Sequence, residues 1–236
     1  MPLTYIIFAI VLLTACYASY KTGKLTGSGA ITGGMVALCI YMGTGFTGIA
    51  MLAAFFVLAT IATSHKKNTK NKLGDNQHHE KRDARQVLAN GGLPAILGLL
   101  AFVLPENALL ATILIAAAFA SATADTLSSE LGTVYGKRSY NIITFKPDEK
   151  GRDGVISLEG TLIGIAGAAV IAAVYAIGVG WNSMFLYIII AGTAGNIADS
   201  VLGATLERKG YINNNEVNFL NTFISVIVCC LLMYYI

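Results

Sequence analysis

Charged residues are scarce in this chain. Asp, Glu, Lys and Arg make up 12% of its 236 residues, and hydrophobic residues make up 55%. A typical soluble domain carries about 25% charged residues. A soluble domain of this length would need a charged surface, and this composition does not supply one. The sequence therefore excludes an ordinary soluble domain. It indicates an integral membrane protein, with the lipid membrane as a partner and no nucleic-acid partner.

Cysteine is also sparse, and its placement argues against metal or disulfide chemistry. Cys16, Cys39, Cys229 and Cys230 all fall inside apolar runs, without CxxC spacing and without a nearby histidine. A zinc site or a disulfide framework requires such spacing or such partners. We expect these four side chains to be small apolar fillers that face lipid or neighbouring helices.

Apolar residues gather in eight long runs, most of which reach the roughly 17 to 25 residues that span a bilayer. The runs are residues 3–20, 30–42, 46–63, 87–104, 108–124, 158–179, 184–206 and 217–236. The second run is short, so it either crosses or forms a half-buried or tightly hairpinned helix. The pattern predicts an all-α, polytopic membrane helix bundle. We expect residues 1–236 to form a single transmembrane domain. It should contain about eight transmembrane helices, with seven as the alternative if the short second run does not cross.

The charges alternate between the loops that join these runs. All sixteen Lys and Arg residues fall in the odd-numbered loops, whereas the even-numbered loops carry one charge, Glu106. Basic loops stay on the cytoplasmic side of a membrane. We therefore predict an inner (cytoplasmic) membrane protein with both termini outside, cytoplasmic loops at about 64–86 and 132–157, and a cytoplasmic active face. The alternation holds only if the short second run crosses.

Two predicted spans carry an aspartate in a similar setting. Asp125 follows the fifth run and Asp199 lies within the seventh, each in an Ala-Asp-Ser/Thr segment. An ionisable residue in a membrane span is costly and therefore indicates a function. Glu130 lies about 140° further around a helix than Asp125, so the two converge if the helix ends near Ser128.

Carboxylates that gather without basic residues between them repel one another unless a divalent cation binds them. Oxygen ligands beside a phosphate suit Mg²⁺, which favours a metal role for Asp125 and Asp199 and leaves Glu130 open. The alternative is that each carboxylate pairs with Arg or Lys, or caps a helix.

The fifth loop is basic and glycine-rich where it leads into the next helix. The residues at its end include Gly151, Arg152, Asp153, Gly154 and Ser157. Glycine allows close approach of the backbone, and a helix N-terminus attracts anions. Arg152 and Lys146 are candidates to clamp phosphate oxygens. The helix after this loop also carries Gly160-xxx-Gly164, a spacing that lets helix backbones approach closely.

Polar residues begin two further spans on the same side. Arg85 and Asn90 lie at the start of the fourth span, and Asn221 lies at the start of the last one. For Asn221, a solvated helix cap is the alternative to a role in a site.

Five segments together resemble a membrane family that includes plant phytyl-phosphate kinase and animal transmembrane protein 19. They read ADTLSSELG, GRDGVISLEGT, ADSVLGATLE, RQVLANGG and NEVNFLNT, and the resemblance covers essentially the whole chain. It implies transfer of a nucleotide γ-phosphate onto an isoprenoid monophosphate to give the diphosphate. The acidic helix end and basic glycine-rich segment are more distantly similar to CTP-dependent polyprenol kinases and lipid cytidylyltransferases.

The residues fit that chemistry. A lipid monophosphate is substantially ionised near neutral pH, so its transfer reaction needs charge neutralisation and positioning rather than a general base. Under this hypothesis Asp125 and Asp199 hold Mg²⁺, assisted by Glu130 or Asp153, and Arg152 acts with them in catalysis. The nucleotide phosphates are assigned to Lys137, Lys146 and the segment Gly151, Arg152, Asp153, Gly154 and Ser157. The acceptor phosphate is assigned to Arg85, Asn90 and Asn221.

Two rival functions use the same residues differently. A cytidylyltransferase would make a CDP-activated lipid and release pyrophosphate. An ion-coupled transporter or flippase would use Asp125 and Asp199 as ion sites, which are expected near mid-membrane. The resemblance favours CTP as the co-substrate, while the residues leave CTP, GTP and ATP open. The sequence also leaves the prenyl chain length open. It is compatible with a monomer and with an oligomer.

Overall fold

The computed structural model describes residues 3–66 and 81–235, and these are mostly helical. The helices are α1 (Leu3–Lys21), α2 (Gly27–Ser64), α3 (Ala84–Val103), α4 (Ala108–Tyr135), α5 (Leu158–Val179), α6 (Met184–Leu202) and α7 (Asn214–Tyr235). All seven are long and apolar enough to cross a membrane, which confirms the all-α membrane bundle. A 3₁₀ turn (Pro105–Asn107) precedes α4, and a π-helical turn (Gly203–Glu207) extends α6. Most of the predicted loop at 64–86 lies outside the described residues.

Helix α2 crosses the bundle twice. A straight helix of 38 residues would be about 57 Å long. Lys24 Nζ, just before α2, nevertheless lies 2.9 Å from Oγ of Ser64, its last residue. The backbone reverses at Gly45, whose φ of 61° favours a residue without a side chain. Residues 27–44 therefore run away from Lys24 and residues 46–64 return. The short second apolar run is helical over its whole length, in agreement with the crossing that the charge alternation favours, and residues 3–66 and 81–235 contain eight long helical segments.

The polar segments of the described chain gather at one end of the bundle, which we call the basic face. All described Lys and Arg residues lie in the segments at this end or in the terminal turns of the helices that meet it. The start of α1 lies at the opposite end, because Phe8 stacks on Tyr41 near the Gly45 reversal, with ring centroids 3.7 Å apart. Helix α7 begins at the basic face and ends opposite it, so both described chain ends lie on the same side.

The segment between α4 and α5 folds back over the basic face. Helix α4 runs to Tyr135, so this segment begins at Gly136 rather than near 132. It contains a pair of two-residue antiparallel strands, β1 (Tyr140–Asn141) and β2 (Val155–Ile156), in which Tyr140 pairs with Ile156. We call residues 136–157 the loop segment. The pairing of its two short strands brings the beginning and the end of the loop segment together.

Helix α4 is the centre of the bundle. Every residue of α4 from Ala111 to Ala124 is buried, and most of them are alanine, serine or threonine, whose small side chains allow close packing. Helix α5 crosses α4 at the predicted Gly160-xxx-Gly164 pair. A Cβ atom on Gly160 would lie 2.8 Å from the carbonyl oxygen of Ser128, and one on Gly164 would lie 2.9 Å from that of Ala124. The prediction of close helix approach at this pair is confirmed.

The double crossing of α2 predicts a labelling pattern. In a background without native cysteines, Lys24→Cys and Lys66→Cys should react with a membrane-impermeant maleimide from the same side of sealed vesicles. The control Asn107→Cys, in the turn before α4, should react from the other side. A single straight crossing by α2 would instead place Lys24→Cys and Lys66→Cys on opposite sides.

Candidate functional site

Asp125 and Asp199 meet inside the bundle. Helices α4 and α6 both run towards the basic face, and their two carboxyl groups lie within hydrogen-bonding distance of each other. Asp125 is about 26 Å along α4 from Ala108, and Asp199 is about 23 Å along α6 from Met184. In a hydrocarbon core of about 30 Å, both lie near the boundary on the basic face. We call these two residues the aspartate pair.

Carboxylates this close cannot both stay ionised unless a cation lies between them; otherwise they share a proton. Mg²⁺ is commonly bound through one or two carboxylates together with substrate phosphates and water. The aspartate pair fits that donor set. Within residues 3–66 and 81–235, no group of three or more His, Cys, Asp and Glu side chains is arranged to hold a metal ion.

Glu130 does not join the aspartate pair, which corrects the predicted three-carboxylate metal site. Helix α4 does not end near Ser128 but continues, so Glu130 stays around the helix from Asp125. Its side chain is 2% exposed and interacts electrostatically with Arg82. Glu130 therefore balances the charge of a half-buried arginine.

Asn221 on α7 holds the Asp199 side chain in place through a hydrogen bond. Its Nδ2 donates a hydrogen bond of 2.7 Å to Asp199 Oδ2, and Ser121 Oγ donates one of 3.1 Å to Asn221 Oδ1. The serine thereby fixes the amide so that its donor faces the carboxylate. Asn221 is fully buried and lines neither of the cavities beside the aspartate pair. The predicted contact of Asn221 with the acceptor phosphate is therefore wrong, and its solvated-cap alternative is wrong as well.

A cavity of about 1270 Å³ opens on one side of Asp125, and we call it the large cavity. Helix α3 supplies Arg85 and Asn90 to its wall, so both predicted phosphate residues line the same cavity as Asp125. The other polar lining residues are Thr63, Arg82, Gln86, Thr126, Ser129, Glu130, Asn213, Asn214, Asn215, Glu216 and Asn218. Phe55, Leu88, Ile96 and Phe219 are among its apolar lining residues.

Arg82 is a lining residue that the sequence analysis missed. Its backbone N–H donates to the carbonyl of Lys24, and its own carbonyl accepts from the N–H of Thr26, both at 3.0 Å. Burial lowers the pKa of its guanidinium, and the nearby Glu130 charge opposes that shift. In the sequence, Arg82 is one of several basic loop residues. Its position directly before Asp83, the residue that caps α3, could have indicated that Arg82 lies at the start of a membrane helix.

A second cavity, of about 430 Å³, lies on the other side of the aspartate pair, beneath the loop segment; we call it the loop cavity. Asp125 lines both cavities, and Asp199 lines this one. The predicted nucleotide-binding residues that line it are Gly151, Arg152, Asp153, Gly154 and Ser157. The Ser157 hydroxyl also caps α5 by accepting from the N–H of Gly160 at 3.1 Å.

Two predicted phosphate-binding lysines stand apart from the loop cavity. Lys137 and Lys146 are exposed and line neither cavity, which corrects their assignment to the nucleotide phosphates in this conformation. The backbone N–H of Lys137 instead donates to Glu159 Oε2 at 3.2 Å. Lys150, a neighbour that does line the loop cavity, donates from Nζ to the carbonyl of Gly136 and so closes the end of α4.

Arg208, which the sequence analysis also missed, fastens the loop segment to the end of α6. Its Nη1 lies 2.8 Å from Asp148 Oδ2, and its Nε donates to the carbonyl of Asp153 at 2.6 Å. The Glu149 backbone N–H and the Arg208 side chain lower the pKa of Asp148. Arg152 is 57% exposed and lies 3.5 Å from the other Asp148 oxygen. Exposed pairs of this kind contribute little, so the guanidinium of Arg152 is free to turn.

Seven described helices that are long and apolar enough to cross a membrane, with a polar site confined to one end of the bundle, define a multi-pass integral membrane protein. The chain belongs to the DUF92 family of integral membrane proteins, whose family model matches residues 10–226. This confirms the family resemblance drawn from the five segments.

Several relatives extend over most of the chain. The uncharacterized membrane protein MJ0933 of Methanocaldococcus jannaschii is 34% identical over 88% of this chain and 85% of its own length. Protein VTE6, chloroplastic, of Arabidopsis thaliana is 28% identical over 90% of this chain and 66% of its own length. The uncharacterized membrane protein sll0875 of Synechocystis is 32% identical over 82% of this chain and 77% of its own length. No solved structure gives a significant match.

The buried amide of Asn221 predicts a stability effect. Asn221→Ala removes the amide donor to Asp199 and leaves Ser121 only the backbone carbonyl of residue 221, and a buried polar group that loses its hydrogen bond costs about 1–3 kcal/mol. We expect a lower melting temperature for the detergent-purified protein. The control Asn218→Ala removes a more exposed amide one turn earlier in α7 and should melt like the wild type. Equal melting of both variants would contradict the positioning role.

The anchor made by Arg208 predicts a local effect. Arg208→Gln should speed amide hydrogen exchange across residues 136–157, whereas Arg152→Gln should leave it unchanged. Because the folded pKa of Asp148 is lowered, the ion pair is fully present above its unfolded pKa of about 4 and is lost as the pH falls through the lower folded value. Exchange that is equally slow in both variants at pH 7 would contradict the anchor.

Proposed function

We propose that this protein is a Mg²⁺-dependent phosphotransferase that moves the γ-phosphate of a nucleoside triphosphate onto a prenyl monophosphate, of phytyl or polyprenyl type. The observation that supports this most directly is the place of the aspartate pair. Asp125 forms part of the wall of two cavities at once, so ligands in the two cavities meet at one pair of carboxylates. A transfer between two phosphate-bearing substrates needs such a meeting point.

The two cavities suggest which substrate binds where. The large cavity combines arginines with apolar walls, which suits a phosphate attached to a hydrocarbon. The loop cavity is lined by a glycine-rich segment at the start of α5, which suits the phosphates of a nucleotide. We therefore assign the prenyl monophosphate to the large cavity and the nucleotide to the loop cavity.

The proposed reaction is a phosphoryl transfer. An oxygen of the prenyl monophosphate forms a bond to the γ-phosphorus, and the bond from that phosphorus to the β–γ bridging oxygen breaks. The products are the prenyl diphosphate and the nucleoside diphosphate. Mg²⁺, held by Asp125 and Asp199, would neutralise charge on the phosphate oxygens.

The remaining residues bind and orient the substrates. Arg82, Arg85 and Asn90 line the wall where the acceptor phosphate would lie. To reach a nucleotide, the exposed Arg152 side chain has to leave Asp148 and Glu149, and breaking an ion pair at the surface costs about 1 kcal/mol or less. Asn221 keeps the Asp199 carboxylate oriented through the amide that Ser121 fixes.

Sequence similarity supports the same class of reaction. The chain is 28% identical to VTE6, which favours a prenyl-phosphate kinase-like function. The more distant likeness to CTP-dependent polyprenol kinases favours CTP as the nucleotide. The positive-inside rule favours a cytoplasmic basic face, where nucleotides are present.

Cytidylyl transfer is the closest alternative, because it also joins a nucleotide to a lipid phosphate. The released product separates the two reactions: a kinase gives CDP from CTP, whereas a cytidylyltransferase gives pyrophosphate. Ion-coupled transport is less favoured, because the aspartate pair lies near one boundary and coupling sites lie near the midplane.

The proposal predicts that both aspartates are essential. Purified Asp125→Asn and Asp199→Asn should each lose phosphotransfer to geranylgeranyl monophosphate by about 100-fold or more, because they remove charge that the transition state requires. Chelation of Mg²⁺ should abolish wild-type activity. The control Glu106→Gln removes an acid at the opposite end of the bundle and should keep full activity. Normal Mg²⁺-dependent activity in Asp125→Asn would overturn the assignment.

A further inference from the structure

The lining of the large cavity changes from polar to apolar with depth on three separate helices. On α3 it passes from Arg85 to Ile96, and on the returning half of α2 it passes from Thr63 to Phe55. On α7 the cavity has asparagines in the first turn and then Phe219. The polar end lies at the basic face and the apolar end lies at bilayer depth. A ligand that matches this gradient has an anionic head and a hydrocarbon tail.

The cavity is long enough to hold part of a lipid chain. Arg85 and Ile96 are separated by about 16 Å along α3, which is roughly half of a hydrocarbon core of about 30 Å. Its volume of about 1270 Å³ exceeds the range of about 300–1000 Å³ that is usual for small-molecule pockets. Leu88, Gly92 and Ile96 line it at four-residue spacing, so they form one stripe along α3.

Gly92 is the residue in this stripe with open space beside its backbone. A Cβ atom on Gly92 would meet nothing within 4 Å, whereas one on Gly91 would lie 3.0 Å from Val36 and one on Gly98 would lie 2.6 Å from the carbonyl of Cys39. The neighbouring glycines are thus required by helix packing, and Gly92 is not. A glycine inside a helix costs about 1 kcal/mol relative to alanine, so its presence here is best explained by the space that it leaves.

We propose that the large cavity binds a single-chain anionic lipid lengthwise. Its head lies at Arg82 and Arg85, and its tail passes Gly92 and Ile96 into the bilayer. This proposal rests on the proposed function for the identity of the lipid as an isoprenoid monophosphate. The arginines match the charge of its head, and the apolar stripe at Leu88, Gly92 and Ile96 matches its hydrocarbon tail.

The side of the cavity is open to lipid. Leu88 and Ile96 are about half exposed, at 50% and 53%, so the stripe faces the bilayer rather than a closed tunnel. A tail that leaves the cavity sideways meets no end wall. The protein should therefore accept tails of 15, 20 or more carbons with similar affinity. A five-carbon monophosphate should bind far more weakly, because burial of apolar surface contributes about 25 cal/mol per Å².

The test measures binding without nucleotide. Wild type, Gly92→Trp and the control Ala166→Trp are purified and titrated with geranylgeranyl monophosphate by native mass spectrometry. Ala166 is an exposed small residue on α5, at the same distance from its helix start as Gly92, and it lines neither cavity. Gly92→Trp should weaken binding at least tenfold, and Ala166→Trp should leave it unchanged. Equal binding to all three proteins would overturn the proposal.

A second measurement keeps the proposal testable if Gly92→Trp does not fold. A prenyl monophosphate with a diazirine in the first half of its tail, nearer the phosphate, should label wild-type peptides that contain residues 88–96 and Phe219. Labelling confined to other helices would overturn the tail path. Equal competition by a two-chain phosphatidic acid would overturn the single-chain assignment.

The outcomes also separate this proposal from the proposed function. Wild type that binds the lipid at these peptides but transfers no phosphate from any nucleoside triphosphate would refute the kinase and leave the lipid groove standing. Wild type that makes prenyl diphosphate, together with an unchanged kcat/KM in Gly92→Trp, would refute the groove and leave the kinase standing.

Discussion

The contact between Asp125 and Asp199 is the constraint on which the rest of this structure depends. Two carboxyl groups at hydrogen-bonding distance inside a membrane bundle are unfavourable unless a proton or a cation joins them. The surrounding packing therefore has to hold them together. Glycines on α5 let it pass close to α4, and the Ser121–Asn221 hydrogen bond orients the carboxylate on α6. Helix packing thus holds the aspartate pair in place between the two cavities.

The polar residues around the aspartate pair belong either to the wall of the large cavity or to the region of the loop segment. On one side, the backbone of Arg82 is held by hydrogen bonds to residues 24 and 26, and its charge is balanced by Glu130. On the other side, Arg208 fixes the loop segment while Arg152 remains exposed. One wall is preformed and the other can move. A lipid that arrives from the bilayer would therefore meet a preformed wall. A nucleotide that arrives from water would meet a wall whose side chains can move.

The sequence was informative wherever a property belongs to consecutive residues. Apolar runs predicted the crossings, including the short second one, because hydropathy and charge alternation are both local patterns. Asp125 and Asp199 were found because a charge in an apolar run is conspicuous. Glu130 was misassigned because its partner Arg82 arrives from a distant loop, and Asn221 was misassigned because its burial depends on how α7 packs. Lys137 and Lys146 resembled phosphate ligands, but the fold of the loop segment leaves both exposed, and Arg208 from the end of α6 contacts this segment instead.

The burial of α4 on every side between Ala111 and Ala124 limits which insertions and deletions the sequence can accept in evolution. Successive residues of a helix are rotated by about 100°, so inserting or deleting one residue between Ala111 and Ala124 would turn Asp125 away from its partner. The same change would also shift each small side chain out of its packing position. The length of this stretch should therefore be fixed even where its side chains vary. Insertions should instead accumulate in the connections, where they leave the angular position of Asp125 unchanged.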